Sequence, residues 1–198
     1  MNRIGFVALA LVAVAALVIA FIWSSTASGP NPVVVMDTSM GTIRMELYHD
    51  KAPITVANFL KYVDEKHYDG TIFHRVIPDF MIQGGGFVPG LQEKGSKYPP
   101  IKNEAGNGLS NEAGTLAMAR TSDPNSATDQ FFINTVNNKF LDRANAKDKV
   151  GYAVFGKVTE GMDVVNKIRF VPTRDIGGHE KVPVEDVIIK SMRRADTK

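Results

Sequence analysis

Alternating apolar and polar positions predict short β-strands along most of the chain. Between residues 42 and 48, Ile43, Met45 and Leu47 alternate with polar side chains, and residues 33–36 form a second apolar run before a polar turn. Because successive side chains of a strand point to opposite faces, this pattern predicts a hairpin with one buried face. Similar runs predict further strands at residues 73–77, 80–83, 115–119, 130–134, 152–158 and 187–189.

Helical spacing replaces strand alternation in two segments. Val56, Phe59 and Val63 recur three or four residues apart after Pro53, a residue that suits the first helical turn. A shorter amphipathic segment covers residues 161–168. Strands and helices do not alternate regularly, so a parallel α/β fold is not indicated. We predict a mainly β fold, a closed eight-stranded antiparallel β-barrel capped by two α-helices, because closure leaves no exposed sheet edge.

One central stretch combines an arginine and a glutamine with Phe, Met and Ile, and it ends in three glycines. A proline divides it, which predicts a strand, a tight corner and a second strand. Alternation places Phe73 on the same face as Arg75, and Met81 on the same face as Gln83. The corner then brings Arg75 and Gln83 to one surface beside Phe80 and Met81. A lone arginine in a barrel wall is more often merely exposed, so other residues must decide whether this is a site.

The N-terminus predicts a membrane segment ahead of the barrel. Residues 4–23 contain no charged side chain, and a run of about 20 apolar residues is long enough to cross a bilayer as a helix. Arg3 precedes the run and no charge follows until Asp37, so the positive-inside rule predicts a cytoplasmic N-terminus and an exported body. We favour a retained anchor, while the small residues at 25–27 leave open the cleavage of a signal peptide near Ala27.

The predicted organisation is an anchor or signal segment at residues 1–23, a polar linker at 24–32 and one globular domain at 33–195. The chain has 198 residues, of which 44% are hydrophobic and 22% charged, as expected for a domain with an ordinary core. The formal net charge of +2 and the dispersed Lys and Arg residues give no reason to expect a nucleic-acid partner. A chain without cysteine has no disulfide and no thiolate chemistry.

Motifs for the commoner kinds of active site are missing from the sequence. His49, His67, His74 and His179 show no metal-ligand spacing, so we predict no metal site. The glycines at 84–86 lack the spacing and the Lys of a phosphate loop and indicate a close backbone approach instead. No serine lies in a Gly-x-Ser-x-Gly elbow. A hydrolase that uses His and Asp residues stays an alternative without a motif, and no cofactor is expected.

Several separate motifs, taken in order, resemble one known family. They are FHRVIP at residues 73–78, FMIQGG at 80–85, GTLAMA at 114–119 and QFFI at 130–133. Together they are similar to the cyclophilin-type peptidyl-prolyl cis-trans isomerases, and especially to the bacterial periplasmic members, from about residue 33 to about residue 192. The resemblance implies an eight-stranded barrel with a helix over each end and an active site on its outer face.

The resemblance also implies a set of site residues. The family's catalytic arginine corresponds to Arg75, and its backbone-binding glutamine corresponds to Gln83. The positions of its proline pocket correspond to Phe80, Met81, Phe132 and Leu141, and those of the neighbouring groove to Ala119, Arg120 and Gln130. Two substrate-binding positions depart from the eukaryotic pattern, with Phe140 in place of Trp and Tyr152 in place of His, as in other bacterial members. Tight binding of cyclosporin is therefore in doubt.

Isomerisation of an X-Pro bond gives these residue types a physical role. Rotation must break the amide resonance, which sets a barrier of about 18–20 kcal/mol. In the twisted amide the prolyl nitrogen gains a lone pair, so a donor at that nitrogen interacts more strongly with the twisted state than with either planar state. The guanidinium of Arg75 suits this role because it stays protonated and holds several donors in one plane.

The resemblance and the N-terminal segment together predict partners and location. We expect a monomeric isomerase that accelerates the folding of exported, proline-containing polypeptides, anchored in the bacterial inner membrane with its domain in the periplasm. A soluble periplasmic enzyme, released by cleavage near Ala27, is the alternative location. A proline-peptide binding module or holdase without catalysis stays open as a second function, since a groove alone supports binding.

Overall fold

The computed structural model describes residues 30–195. The predicted membrane segment at 1–23 and residues 24–29 of the predicted linker lie outside this part of the chain. Within the described part, neither helix is long and apolar enough to cross a membrane. The elements follow in the order β1 (Val33–Thr38), β2 (Gly41–Leu47), α1 (Pro53–Asp64), β3 (Phe73–Ile77), β4 (Met81–Gly84), β5 (Phe87–Val88), β6 (Gln92–Glu93), β7 (Thr115–Met118), β8 (Phe131–Asn134), a 3-10 turn (Lys139–Leu141), β9 (Val154–Glu160), α2 (Met162–Arg169), β10 (Thr173–Ile176), β11 (His179–Pro183) and β12 (Ile189–Arg194).

Eight of these strands form one curled antiparallel sheet, in the order β12-β1-β2-β9-β7-β8-β4-β3. Its two edges meet where Ile72 forms a β-bridge with Ile188, and where the N–H of Phe73 donates to the carbonyl of Val187 at 3.0 Å. The predicted eight-stranded antiparallel sheet with two helices is therefore confirmed. The predicted closure takes the form of this short seam rather than a continuous ladder between β12 and β3.

Apolar side chains cover both faces of the curled sheet. The inner face carries the main core, where Met36, Phe131 and Phe155 are fully buried together with side chains from both helices. A smaller cluster on the outer face contains Met81, Ala117, Phe132, Leu141 and Val154. Strand alternation explains this division in β8, since Phe131 and Ile133 belong to the inner core and Phe132 to the outer cluster.

Helix α1 buries the predicted face against the inner core. It begins at Pro53, whose missing N–H costs nothing in the first turn, and Val56, Phe59 and Val63 are buried. The shorter helix α2 begins after Gly161, which has a φ of +92°. A Cβ at this position would lie 2.4 Å from the carbonyl oxygen of Thr42, so the close approach of β2 requires glycine.

The N-terminus of α1 is capped by a residue from the long loop that follows β6. Ala52 at the N-cap position makes no side-chain hydrogen bond. The carboxylate of Glu104 instead accepts hydrogen bonds from the backbone N–H groups of Ile54 at 3.2 Å and Thr55 at 2.8 Å, and from the Thr55 hydroxyl at 2.7 Å. The loop is therefore fixed to the first turn of α1 by these unpaired helix N–H groups.

The predicted side-chain faces of β3 are wrong at one end. A bulge between Phe73 and Arg75 shifts the register with β4, and such an extra residue interrupts the alternation of faces. Phe73 and Val76 consequently both pack in the inner core. Arg75 lies on the outer face, where Ile77 packs against the smaller cluster.

The sequence pattern did not predict two short hairpins outside the main sheet. β5 pairs with β6, and β10 pairs with β11 around a turn at Gly177 and Gly178. Both turn glycines have positive φ, at 60° and 82°, which explains why this polar segment forms a tight hairpin. The β10–β11 hairpin packs against β3, the strand that carries Arg75.

Candidate active site

A cavity of about 110 Å³ opens on the outer face of the sheet, and we call it the outer pocket. Its lining residues come from β3, the corner before β4, β4, β8, the 3-10 turn and the segments that follow β7 and precede β9. They are Arg75, Phe80, Met81, Gln83, Ala119, Arg120, Phe132, Leu141 and Tyr152. All nine are among the eleven site residues predicted from the sequence, so residues spread over nearly 80 positions of the chain converge here.

Arg75 and Gln83 face each other across the pair of strands that forms one wall of the outer pocket. They are direct partners in the β3–β4 register, and Met81 shares the face of Gln83, as predicted. The Arg75 guanidinium carbon lies 5.9 Å from the centre of the Phe80 ring. Among residues 30–195, no side chain or carbonyl accepts a hydrogen bond from this half-buried guanidinium. Its donors are therefore available to a bound molecule.

The floor of the outer pocket is apolar and buried. Met81, Phe132 and Leu141 are 1%, 5% and 8% exposed, and they pack on Ala117 and Val154 of the outer cluster. The rings of Phe132 and Tyr152 meet edge to face at 5.8 Å, so an aromatic wall rises from this floor. A small apolar ring can lose its water of hydration here while remaining beside the Arg75 guanidinium.

Phe140 lies at the rim of the outer pocket rather than in its lining. Its ring stacks on that of Phe80 at 5.6 Å, with 27° between the ring planes, and it is 57% exposed. A large aromatic side chain with so much exposed surface is available to residues that flank a bound ring. The prediction placed Phe140 with the pocket residues, and the structure places it one layer further out.

Arg120, the second predicted arginine, is fully engaged by the protein. Its Nε donates to the carbonyl of Gly151 at 3.1 Å, its Nη2 pairs with Asp148, and its guanidinium lies 4.4 Å above the Tyr152 ring. Its side chain is only 3% exposed. The backbone N–H of Val150, followed by Arg120 and the N–H of Gly151, holds the pKa of Asp148 below its usual range. Arg120 therefore braces the wall of the outer pocket.

Gln130 lines a second cavity, of about 260 Å³, which adjoins the outer pocket and shares Gln83, Ala119 and Arg120 with it. We call this cavity the side groove. The Gln83 amide donates to the Gln130 side-chain oxygen at 3.0 Å, so the two amides mark the boundary between the cavities. A Cβ on Gly86 would lie 2.4 Å from the Gln130 amide nitrogen, which explains the close approach indicated by the three glycines.

Sequence reasoning missed a layer of buried amides beneath the outer pocket. Asn111, Asn134 and Asn138 are 0%, 0% and 2% exposed, and we call them the amide layer. The sequence feature that could have indicated this layer is the presence of three asparagines in or beside apolar or turn-forming runs. Because they come from separate parts of the chain, the sequence pattern does not show that they meet.

Comparison with known proteins shows the family to which the chain is similar. Residues 33–194 match the family model described as "Cyclophilin type peptidyl-prolyl cis-trans isomerase/CLD". The chain is 57% identical over 163 residues to a peptidyl-prolyl cis-trans isomerase of Acinetobacter baylyi, covering 82% of this chain and 85% of that protein. It is 56% identical over 161 residues to peptidyl-prolyl cis-trans isomerase B of Escherichia coli, covering 81% of this chain and 98% of that protein.

A solved structure of the same family has a similar fold. The crystal structure of a cyclophilin-type isomerase of Cryptosporidium parvum, in the presence of the dipeptide Ala-Pro, has a TM-score of 0.70 and 29% sequence identity. The match covers 83% of this chain and 99% of that chain. Enzymes of this family act on proline-containing polypeptides and need no cofactor. The chain belongs to the cyclophilin-type peptidyl-prolyl cis-trans isomerases.

Proposed function

We propose that the outer pocket holds the proline ring of a substrate and that Arg75 stabilises the twisted X-Pro amide. The observation that carries this proposal is a half-buried guanidinium that has no acceptor among residues 30–195 and lies beside a buried apolar floor. Most buried side-chain donors are paired within the fold, as those of Arg120 are. The unpaired donors of Arg75 therefore support a role toward a ligand.

The energetic requirement is an interaction that strengthens as the amide twists. Conjugation keeps the lone pair of a planar prolyl nitrogen delocalised, and this lone pair becomes a hydrogen-bond acceptor only when the amide is twisted. A donor aimed at the nitrogen consequently lowers the barrier without favouring either planar isomer. No acid, base or nucleophile is needed, because no covalent bond forms or breaks.

We assign binding of the peptide backbone to Gln83, at the boundary between the outer pocket and the side groove. Gln83 lies beside both Arg75 and the side groove, where an amide side chain can donate to and accept from a peptide unit. The side groove, with Ala119, Arg120 and Gln130, extends this surface along the chain of the substrate. One side of the X-Pro bond is held while the other rotates.

This division of roles is tested by Gln83→Ala. An anchor that holds planar and twisted states equally contributes uniform binding, so its loss raises KM and leaves kcat nearly unchanged. We expect KM to rise by about 5- to 20-fold, as for the loss of one well-formed hydrogen bond to the ligand. The measurement is an NMR exchange assay of an X-Pro peptide with the whole protein in detergent.

The matched control for Gln83→Ala is Gln92→Ala, since Gln92 is an exposed glutamine of β6 that lines neither cavity. It should show wild-type kinetics. A Gln83→Ala variant with unchanged KM and a strongly reduced kcat would contradict the anchoring role.

We also assign the enzyme to the folding of exported proteins. The support is the uncharged run at residues 4–23 with Arg3 before it, a pattern that directs the following domain across the membrane. We favour a retained single-pass anchor in the bacterial inner membrane with the domain in the periplasm. Release of a soluble periplasmic enzyme by cleavage near Ala27 is the alternative.

A further inference from the structure

The amide layer connects three segments that line the outer pocket, namely the corner at Phe80, strand β8 and the 3-10 turn. Asn138 Nδ2 donates to the carbonyl oxygen of Phe80 at 2.7 Å and to Asn134 Oδ1 at 2.7 Å. Asn134 Nδ2 in turn donates to Asn111 Oδ1 at 3.2 Å. Both donors of the Asn138 amide are thus used in a space from which water is excluded.

The far end of the layer is fixed to the 3-10 turn. Asp142 Oδ1 accepts hydrogen bonds from the backbone N–H of Asn111 at 2.7 Å and from its Nδ2 at 2.9 Å. The backbone N–H of Asn138 donates to the Asn111 carbonyl at 2.7 Å, and the N–H of Leu141 donates to the Asn138 carbonyl at 2.8 Å. The turn that presents Phe140 and Leu141 is therefore held by the same groups that hold Phe80.

The Nδ2 atoms of all three asparagines donate hydrogen bonds, and the Oδ1 atoms of Asn111 and Asn134 accept them. Among the described residues, the buried side-chain atoms without a hydrogen-bond partner belong to His67, His74 and Arg169, and none belongs to the three asparagines. A buried hydrogen-bonded network favours one arrangement of the groups it joins, because a shift that breaks one of these bonds leaves a buried donor or acceptor unpaired. Here the joined groups are Phe80, just before β4, and the turn that carries Phe140; the rings of Phe80 and Phe140 stack across the rim.

We propose that Asn138 is a positioning residue for isomerisation, because its amide fixes the Phe80 wall relative to the 3-10 turn. The inference rests on the proposed role of the outer pocket. Asn138 lies behind the wall and lines neither cavity, so it acts through Phe80 and not on the peptide. Loss of its two donors lets the wall move, and a displacement of about 1 Å at a catalytic site costs up to about 100-fold in rate.

The test compares Asn138→Ala and Asn138→Asp with the wild type in the full-length protein. Asn138→Asp keeps the size of the side chain but replaces the Nδ2 donor with a carboxylate oxygen. That oxygen faces two acceptors, the Phe80 carbonyl oxygen and Asn134 Oδ1, and can donate to neither. We expect kcat/KM to fall by roughly 10- to 100-fold in both variants at pH 8. Thr38→Val is the control, because it removes a buried hydroxyl that donates to Gly41 in the β1–β2 turn, away from both cavities. It should lower the unfolding midpoint without changing kcat/KM.

A pH profile separates positioning from a loss of stability. When the new carboxyl of Asn138→Asp is protonated, it supplies one O–H donor for the Phe80 carbonyl. The ratio of kcat/KM in this variant to kcat/KM in the wild type should therefore rise from pH 8 to pH 5. Asp142 and Asp79, on the adjoining loops, are present in both proteins and cancel in this ratio. The NMR exchange assay is used because it needs no coupling protease.

Each kinetic result either supports or overturns the positioning role of Asn138. Wild-type kcat/KM in both variants would overturn the inference, and so would a flat ratio for Asn138→Asp. If Asn138→Ala does not fold, the ratio for Asn138→Asp decides alone. If Arg75→Ala is inactive while the Asn138 variants are normal, this inference fails and the proposed function stands. If Arg75→Ala is fully active, the proposed function itself fails.

Discussion

At the residue scale, the two arginines of the outer pocket have different environments. Arg75 is in β3 and Arg120 lies just after β7, and both line the outer pocket. The donors of Arg120 go to Gly151, Thr121 and Asp148, while those of Arg75 find no acceptor among the described residues. This contrast separates a residue that holds the wall from one that faces the ligand, and sequence alone does not reveal it.

His74, the neighbour of Arg75, makes the stability of the fold depend on pH. Burial, with smaller effects of the nearby His179 and Arg75 charges, lowers the pKa of His74 from 6.5 to about 4. Between these values the unfolded chain binds a proton that the folded chain does not, so folding is favoured above pH 6.5 and loses stability as the pH falls toward 4. The full effect is about 3 kcal/mol.

The prediction for His74 is checked by urea unfolding at pH 7 and pH 4. In His74→Gln, the decrease in unfolding free energy between the two pH values should be about 3 kcal/mol smaller than in the wild type. The carboxylates that titrate in this range are present in both proteins and cancel. An equal decrease in the two proteins would show that His74 does not stay neutral in the fold.

At the element scale, the predictable and the unpredictable parts have distinct physical origins. Local sequence patterns predicted seven strands of the sheet and both helices, since apolar positions repeat every 2 or 3.6 residues or form short apolar runs. The last strand was predicted at residues 187–189 and shares only Ile189 with β12. The bulge between Phe73 and Arg75 does not follow from periodicity, because the residue types of the strand do not mark where an extra residue interrupts the pairing. The β10–β11 hairpin is too polar to show alternation, and the amide layer is assembled from distant segments. Alternation and the proline corner grouped Arg75, Phe80, Met81 and Gln83, and the other pocket residues were predicted from family motifs.

The cap of α1 provides a prediction at this scale. Glu104→Ala leaves the first N–H groups of the helix without their acceptor, so the free energy of unfolding should fall by about 1 kcal/mol. Glu112→Ala, an exposed glutamate on the same loop, is the control and should be neutral. Isomerase activity should be unchanged in both. The measurement is the urea midpoint, and a Glu104→Ala variant as stable as the control would contradict the capping role.

At the scale of the whole molecule, the proposed location determines which substrates reach the site. If residues 4–23 are retained, the protein stays in the membrane pellet after an alkaline carbonate wash, and protease added to spheroplasts degrades the domain. N-terminal sequencing of the mature protein should then find the start of the chain. A start near Ser28, or recovery in the periplasmic fraction, would contradict the anchor and support the soluble alternative.

The central claim is that Arg75 acts on the twisted amide, and Arg75→Ala tests it most directly. Loss of one donor directed at a developing charge typically lowers kcat by about 100- to 1000-fold. We expect a decrease of this size, while Arg75→Lys, which keeps the charge without the planar donors, recovers only part of the rate. Arg174→Ala, an exposed arginine of β10, should behave as the wild type. Because the Arg75 side chain makes no hydrogen bond within the described fold, the unfolding midpoint should be unchanged. A wild-type isomerisation rate in folded Arg75→Ala would contradict the account.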